Sequence, residues 1–285
     1  MADAVDLLQS LLQVNHAHYR SDEGVFTALL RQFKSDELAK PRYADPKRLL
    51  RYGFKLYSQS DEDGILQEIF RRIGTSNRTF VEFGVENGIE CNTVKLLVEG
   101  WRGLWLDGST ANVAQIHTHF DAFARDGRLR AVPAFITAEN INSLIEQGGV
   151  TGDIDLLSID IDGNDYWVWQ AIEVVRPRVV VIEYNSALRP PMSAVVPYDP
   201  ARQWDGSNYF GASLEALVRL GRKKGYRIVG CNFGGFNAFF VHESCAGDHF
   251  LDPPTAEEHY EPPRNYYIYS EGRYPPPRPG VFVEV

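Results

Sequence analysis

The 285-residue sequence contains no run of about twenty apolar residues, so it offers no transmembrane helix. Its three cysteines, Cys91, Cys231 and Cys245, cannot build a disulfide framework. Cys91 and Cys231 stand in apolar or near-strand contexts and read as buried thiols. Basic runs are missing too. With 29 Lys and Arg against 38 Asp and Glu, the formal net charge is −9, which argues against nucleic acid and anionic membrane as partners. No signal peptide opens the chain, and the expected compartment is cytoplasmic. G-x-x-x-x-G-K-[ST] and G-x-G-x-x-G are both absent, which weakens ATP and nicotinamide dinucleotide as ligands. No internal repeat or second core is visible.

What is present is a 44% hydrophobic chain in which strand and helix patterns alternate. Helical spacing is expected over 3–14 (Val5, Leu7, Leu8, Leu11, Leu12) and 23–33 (Val25, Phe26, Leu29, Leu30, Phe33), forming an N-terminal cap. Pro41 and Pro46 end it. A further helix starts at Ser60, the expected cap, with Asp63 three residues on. Strands are expected at 79–83, 103–107, 129–134, 154–160, 178–184, 226–231 and 237–242. Helices are expected between them, at about 90–99, 110–124, 139–147, 164–173 and 212–224. Val179-Val180-Val181-Ile182 suits a central strand buried on both faces. The last two strands, joined by a short Gly-Gly turn, read as an antiparallel hairpin. The fold class is α/β, a doubly wound, mostly parallel seven-stranded sheet. The expected domains are the cap, 1–56, the sheet domain, 57–250, and a Pro/Tyr-rich tail, 251–285, that wraps the surface or meets a partner subunit in a homo-oligomer. The proline- and aromatic-rich loop 186–210 is expected to be an ordered lid.

Thr79-Phe80-Val81-Glu82-Phe83-Gly84-Val85-Glu86-Asn87-Gly88 carries the most information. It reads as a buried strand with an acid near its end, then a turn through glycines, which let backbone approach a ligand. Asp107, closing Gly103-Leu104-Trp105-Leu106-Asp107-Gly108, can accept hydrogen bonds from both hydroxyls of a ribose. Glu86 lies where a pyrophosphate would tolerate no anion. An adenosyl ligand without phosphates and with a positive end, S-adenosylmethionine, therefore fits best. Glu82 is expected to anchor its ammonium, or else to hold the turn. Glu139 or Asn140 would meet the adenine amine, or begin a helix as a cap.

With Ser58-Gln59-Ser60-Asp61-Glu62-Asp63-Gly64-Ile65-Leu66, Leu157-Ser158-Ile159-Asp160-Ile161-Asp162-Gly163 and Val180-Val181-Ile182-Glu183 added, the chain resembles class I S-adenosylmethionine-dependent methyltransferases of the FkbM type over residues 57–243. The resemblance implies a Rossmann-like methyltransferase fold. It also implies a cofactor set of Ser58, Gln59, Glu82, Gly84, Glu86, Asn87, Gly88, Asp107, Gly108, Ser109, Thr137, Glu139, Asn140 and Asp160, with Ser58 and Gln59 at the methionine carboxylate. The methyl acceptor it implies is a hydroxylated small molecule: a sugar, a glycan precursor or a natural-product scaffold. The sequence departs from the family where Glu86 replaces a glycine and Asp162 replaces a glutamate.

Strand alternation puts Asp160 and Asp162 on one side, with Glu183 and Asn185 at the neighbouring strand end. Close carboxylates need a cation, a shared proton or separate donors. Oxygen ligands without His or Cys suit Mg²⁺ or another divalent cation at Asp160, Asp162 and Glu183. The alternative is a metal-free site that binds substrate hydroxyls. Asp160, Asp162 and Asn185 are the catalytic candidates, with either aspartate as base. The aromatics Tyr198, Trp204, Tyr209 and Phe210 could stack on a sugar face, and Tyr166 could line the pocket. His117 and His119 read as surface residues and His242 as structural. Two other readings stay open: a cofactor-binding protein that transfers nothing, and N-methylation of an amine.

Overall fold

The computed structural model describes residues 25–265 and 275–285. They fall into two compact units that divide between Asp45 and Pro46. The first unit carries helix α1 (residues 25–38) and a 3₁₀ turn at Pro41–Tyr43. The helix expected at 3–14 lies outside the described residues.

The second unit holds α2 (Glu62–Ile73), β1 (Thr79–Phe83), α3 (Val94–Val98), β2 (Arg102–Asp107), α4 (Thr110–His119), α5 (Asp121–Arg125) and β3 (Leu129–Pro133). It continues through α6 (Ile141–Gln147), β4 (Gly152–Ile159), α7 (Asp165–Ala171), β5 (Val175–Glu183), β6 (Ala194–Val195) and α8 (Leu214–Lys223). The last elements are β7 (Tyr226–Cys231), β8 (Asn237–His242), α9 (Glu243–Ala246), α10 (Ala256–His259) and β9 (Val283–Glu284). Seven strands form one sheet in the order β3-β2-β1-β4-β5-β8-β7. Only β8 runs against the rest: it pairs antiparallel with both β5 and β7. This is the Rossmann-like methyltransferase fold.

The central strands are apolar because helices cover both faces. Val179, Val180, Val181 and Ile182 of β5 are all fully buried, as are Phe239, Phe240 and Val241 of β8. Trp169 of α7 packs its ring on Tyr226 and Phe240 in the same core. On α8 the spacing of Leu214, Leu217, Val218 and Leu220 makes one buried face, and Ser213 caps it by accepting the Ala216 amide at 3.2 Å.

Some elements differ from the expected pattern. Asp61, not Ser60, occupies the N-cap of α2. Asp63 turns back instead, accepting the amides of Leu56, Tyr57 and Ser58 at 2.7, 2.7 and 2.9 Å, so the acid-rich motif builds the turn ahead of the helix. The helix expected over 110–124 breaks at Phe120, whose ring sits edge-on to Trp105 at 4.9 Å. His242 is structural, its ring accepting the Ser244 amide as the cap of α9.

Beyond β5 the loop 186–210 contributes β6, which pairs with β9 of the tail. The tail wraps back over this loop. Asn208 donates its amide to Pro276 O at 3.1 Å, Tyr209 donates its hydroxyl to Val281 O at 2.7 Å, and Arg278 pairs with Asp205. Among the described residues no helix is long and apolar enough to cross a membrane.

Asp155 on β4 is fully buried and fixes the entry to β1. It accepts the amides of Ser76, Asn77 and Arg78 at 2.8, 2.9 and 2.7 Å and pairs with Arg178 at 3.1 Å. Arg178 in turn donates to Ile73 O and Gly74 O, tying down the end of α2. Replacing Asp155 by alanine leaves three amides and a guanidinium without their acceptor. Urea unfolding is expected to show a loss of about 3–5 kcal/mol, with Asp155→Asn losing less.

Candidate active site

The C-terminal ends of β1, β2, β4 and β5 open into a cavity of about 530 Å³, the edge at which sheets of this kind bind ligands. Its walls begin with the turn after β1. Gly84 has φ +68°, and a Cβ there would lie 1.5 Å from the carbonyl oxygen of Asp160. The glycine is needed for backbone to meet backbone, not for a ligand. Gly88 is similar: a Cβ would strike the rings of Phe120 and Trp105 at 2.9 Å, and the residue faces the core rather than the cavity.

Glu82 is buried and lines the cavity, yet its carboxylate already has partners. It accepts the amides of Asn92 and Thr93 at 2.9 and 3.1 Å and the Thr93 hydroxyl at 2.5 Å. These bonds tie the turn after β1 to the start of α3. Burial raises the Glu82 pKa, against the pull of these hydrogen bonds. Asp107 binds the next loop in the same way. One oxygen accepts the Glu86 amide at 2.8 Å, and the other accepts the Ser109 amide at 2.8 Å and the Asn112 side chain at 3.2 Å. Its side chain still forms part of the cavity wall, beside Gly108. Glu86 is held at φ +47° and exposed to the cavity.

Several expected cofactor residues stand back from the cavity. Ser58 is fully buried and bonded to Asp63, leaving Gln59 alone of that pair in the wall. Asn87 makes a turn with Ile89, and Ser109 caps α4 by accepting the Asn112 amide. Asn140 accepts the Thr137 amide at 2.9 Å and donates to Phe135 O at 2.9 Å, while Glu139 accepts the Tyr198 hydroxyl at 2.5 Å. Thr137, Glu139 and Asn140 thus fasten the loop after β3. The residues of that loop that do line the cavity are Ala134, Phe135 and Ile136. The strand-end rule points to them, because they follow Pro133 directly.

The acid cluster is rearranged relative to the sequence pattern. β4 stops at Ile159, and Asp162 turns to φ +56°, so strand alternation no longer governs Asp160 and Asp162. The carboxylates that come within 4.8 Å of one another are Asp160, Asp165 and Glu183, with Asp165 where Asp162 was expected. Asp165 accepts the amides of Ile161 and Gly163, both at 2.8 Å, and shapes the turn. Burial, and then the neighbouring aspartates, push Asp160 and Glu183 well above the usual carboxylate range. One oxygen of Glu183 is buried without a hydrogen-bond partner.

Asn185 lines the cavity but is fully engaged. Its amide donates to Asn208 O and Phe210 O at 3.0 and 2.9 Å, and its oxygen accepts the Ala187 amide at 3.1 Å, pinning both ends of the loop 186–210. Trp204 and Phe210 face the cavity; Tyr198 and Tyr209 point to other partners, and Tyr166 is buried in the core. Two residues without a sequence signal also line it. Arg202 comes from the loop 186–210. Asn237 is oriented by the buried Glu62, whose carboxylate accepts its amide at 3.1 Å and that of Asn232 at 2.7 Å.

Asp162 is exposed to the cavity, and its carboxyl is pushed up to about 6 by partial burial and then by the charges of Asp165 and Glu86. The folded state therefore holds this proton more tightly than the unfolded chain does. Its stabilising contribution is complete below about pH 4 and is lost as pH rises through about 6. Asparagine tolerates the left-handed conformation. Asp162→Asn is expected to be more stable than the parent at pH 8 by about 1 kcal/mol, after allowance for solvent screening. The difference should vanish near pH 4 in thermal unfolding.

No family model matches the chain, and no curated protein does. Solved structures that resemble it include an S-adenosylmethionine-dependent methyltransferase from Clostridium acetobutylicum, at 11% identity and TM-score 0.41, covering 75% of this chain and 99% of that one. An O-methyltransferase from Bacillus cereus, in complex with SAH, is 14% identical with TM-score 0.38, covering 76% and 89%. An O-methyltransferase family protein from Burkholderia thailandensis is 11% identical with TM-score 0.40, covering 64% and 56%. Likenesses at this level carry no argument about what the chain binds.

Proposed function

We propose that this chain is an S-adenosylmethionine-dependent methyltransferase of the FkbM type, acting on a hydroxyl of a small molecule. The observation that carries the reading is the position of Asp107 and the Glu82–Glu86 turn on one wall of a cavity at the strand ends. The acidic side chain of Glu86 opposes a pyrophosphate there and favours a ligand with a positive centre. Asp107 accepts the ribose hydroxyls, and Phe135 and Ile136 give the adenine an apolar bed. Glu82 stabilises the turn, and Gln59 faces the amino-acid end. S-adenosylmethionine supplies a methyl group already attached to a good leaving group.

The rest falls to the chain: holding the acceptor in line and removing its proton. Asp162 suits the proton transfer, since its carboxyl is pushed up to about 6 and is exposed in the cavity wall. A carboxyl that ionises just below neutral pH is a better base than one ionised at pH 4. Asp160, Asp165 and Glu183 fit a divalent cation such as Mg²⁺: three carboxylates converge, and one Glu183 oxygen lacks a partner. There the ion would lower the pKa of an acceptor hydroxyl. The absence of a basic run, with the net charge of −9, favours a small molecule over nucleic acid or membrane.

Calorimetry with S-adenosylhomocysteine, with and without Mg²⁺, tests the reading. Wild type should bind, and Asp107→Ala should lose at least tenfold in affinity. Asp162→Asn should keep that affinity and lose turnover by about a hundredfold or more. No binding by the wild-type chain under either condition would overturn the proposal.

A further inference from the structure

Among the described residues, the cavity is lined by seven carboxylate side chains and one cationic one, Arg202. The arginine is held in place. Its stem lies on Gly163, where a Cβ would be 2.7 Å from Arg202 Cδ. Its guanidinium sits 5.5 Å from the Tyr209 ring centroid and donates to Pro197 O at 3.3 Å. The backbone beneath it is fixed as well. The Arg202 amide donates to Asp199 O at 3.0 Å, and the buried Asn164 side chain donates to the same oxygen at 2.8 Å.

Despite this acidic setting, Arg202 pairs with no carboxylate among the described residues, and its Nε is buried without a hydrogen-bond partner. An arginine usually meets carboxylates and phosphates through two parallel N–H donors. Here a positioned guanidinium that meets no carboxylate among the described residues belongs to the cavity wall. We propose that Arg202 anchors an oxyanion on the methyl acceptor, so that the acceptor class is a hydroxylated carboxylate or phosphate ester. This rests on the methyltransferase reading above. Glu86, Glu90 and Asp107, which line the same cavity, disfavour such an anion beside them. They therefore orient the acceptor, with its anionic end at Arg202 and its hydroxyl end toward Asp160, Asp162 and Glu183. Trp204 and Phe210, from the same loop, also line the cavity.

The test uses the whole chain saturated with S-adenosylhomocysteine, at constant ionic strength held with chloride. Inorganic phosphate and acetate are titrated separately, following heat and tryptophan fluorescence. Saturable binding of either anion is expected, weakened at least tenfold in Arg202→Gln and less in Arg202→Lys. The anion that binds better identifies a phosphate or a carboxylate on the acceptor. Absence of binding to wild type, or equal binding to wild type and Arg202→Gln, overturns the proposal. So does a tenfold loss of S-adenosylhomocysteine affinity in Arg202→Gln with 5′-methylthioadenosine affinity unchanged, because Arg202 would then hold the cofactor's own carboxylate. The anion titrations are repeated without nucleoside. Failure of the methyltransferase reading, seen as no S-adenosylhomocysteine binding by wild type, is thereby separated from failure of the anion anchor.

Discussion

The ends of β1 and β4 meet more closely than any side chain would permit. With the Asp160 carbonyl occupying the place of a Cβ on Gly84, the turn after β1 and the acid-rich turn after β4 become one wall. Moving them apart would separate Glu82 and Glu86 from Asp160 and Asp162. The other fixed points serve the same junction. Glu82 draws the amides of Asn92 and Thr93 under the turn, and Asp107 draws in the amide of Glu86. The acids of this site thus act first on backbone amides of the protein, and a ligand meets a shape they have already set.

That shape is built against electrostatics. Glu82, Asp160, Asp165 and Glu183 all have raised carboxyl pKa values, with burial as the leading cause in each. A core chosen for stability alone would not gather them. Where an acid serves structure, as Asp155 does, donors reach both of its oxygens. Glu183 has an oxygen with none. Asp63, which builds the turn before α2, also has one buried oxygen without a partner, so it is the place of Glu183 in the cavity wall that sets it apart.

The strands were legible because their patterning is strong. β7 and β8 fall on the expected residues, and β1 does too. Runs such as Val179–Ile182 are apolar on both faces and admit little else. Short helices were less legible. α3 has only five residues, and Glu82 accepts the amides just before it. In the site, residues at strand ends could be placed from topology, and Asp107, Asp160 and Glu183 do line the cavity. Polar residues in loops could not be sorted into those that face a ligand and those that fasten backbone. Ser58, Thr137, Glu139 and Asn140 have the same chemistry in either role, and only their partners distinguish them. Arg202 and Asn237 reach the cavity from elements whose paths depend on long-range contacts: the loop 186–210, and a hairpin keyed to Glu62.

The position of β8 has a consequence for how the chain is made. β5 emerges from the ribosome with a long apolar edge, and the strand that covers that edge is encoded only after the entire 186–210 loop and α8. Until Ala238, Phe239 and Phe240 arrive, the half-built sheet exposes an open rim of amides and carbonyls beside Val179–Ile182. Nascent chains stalled in that interval would be the most prone to stick to one another. Slow translation ahead of the hairpin should therefore harm yield more than the same delay after it.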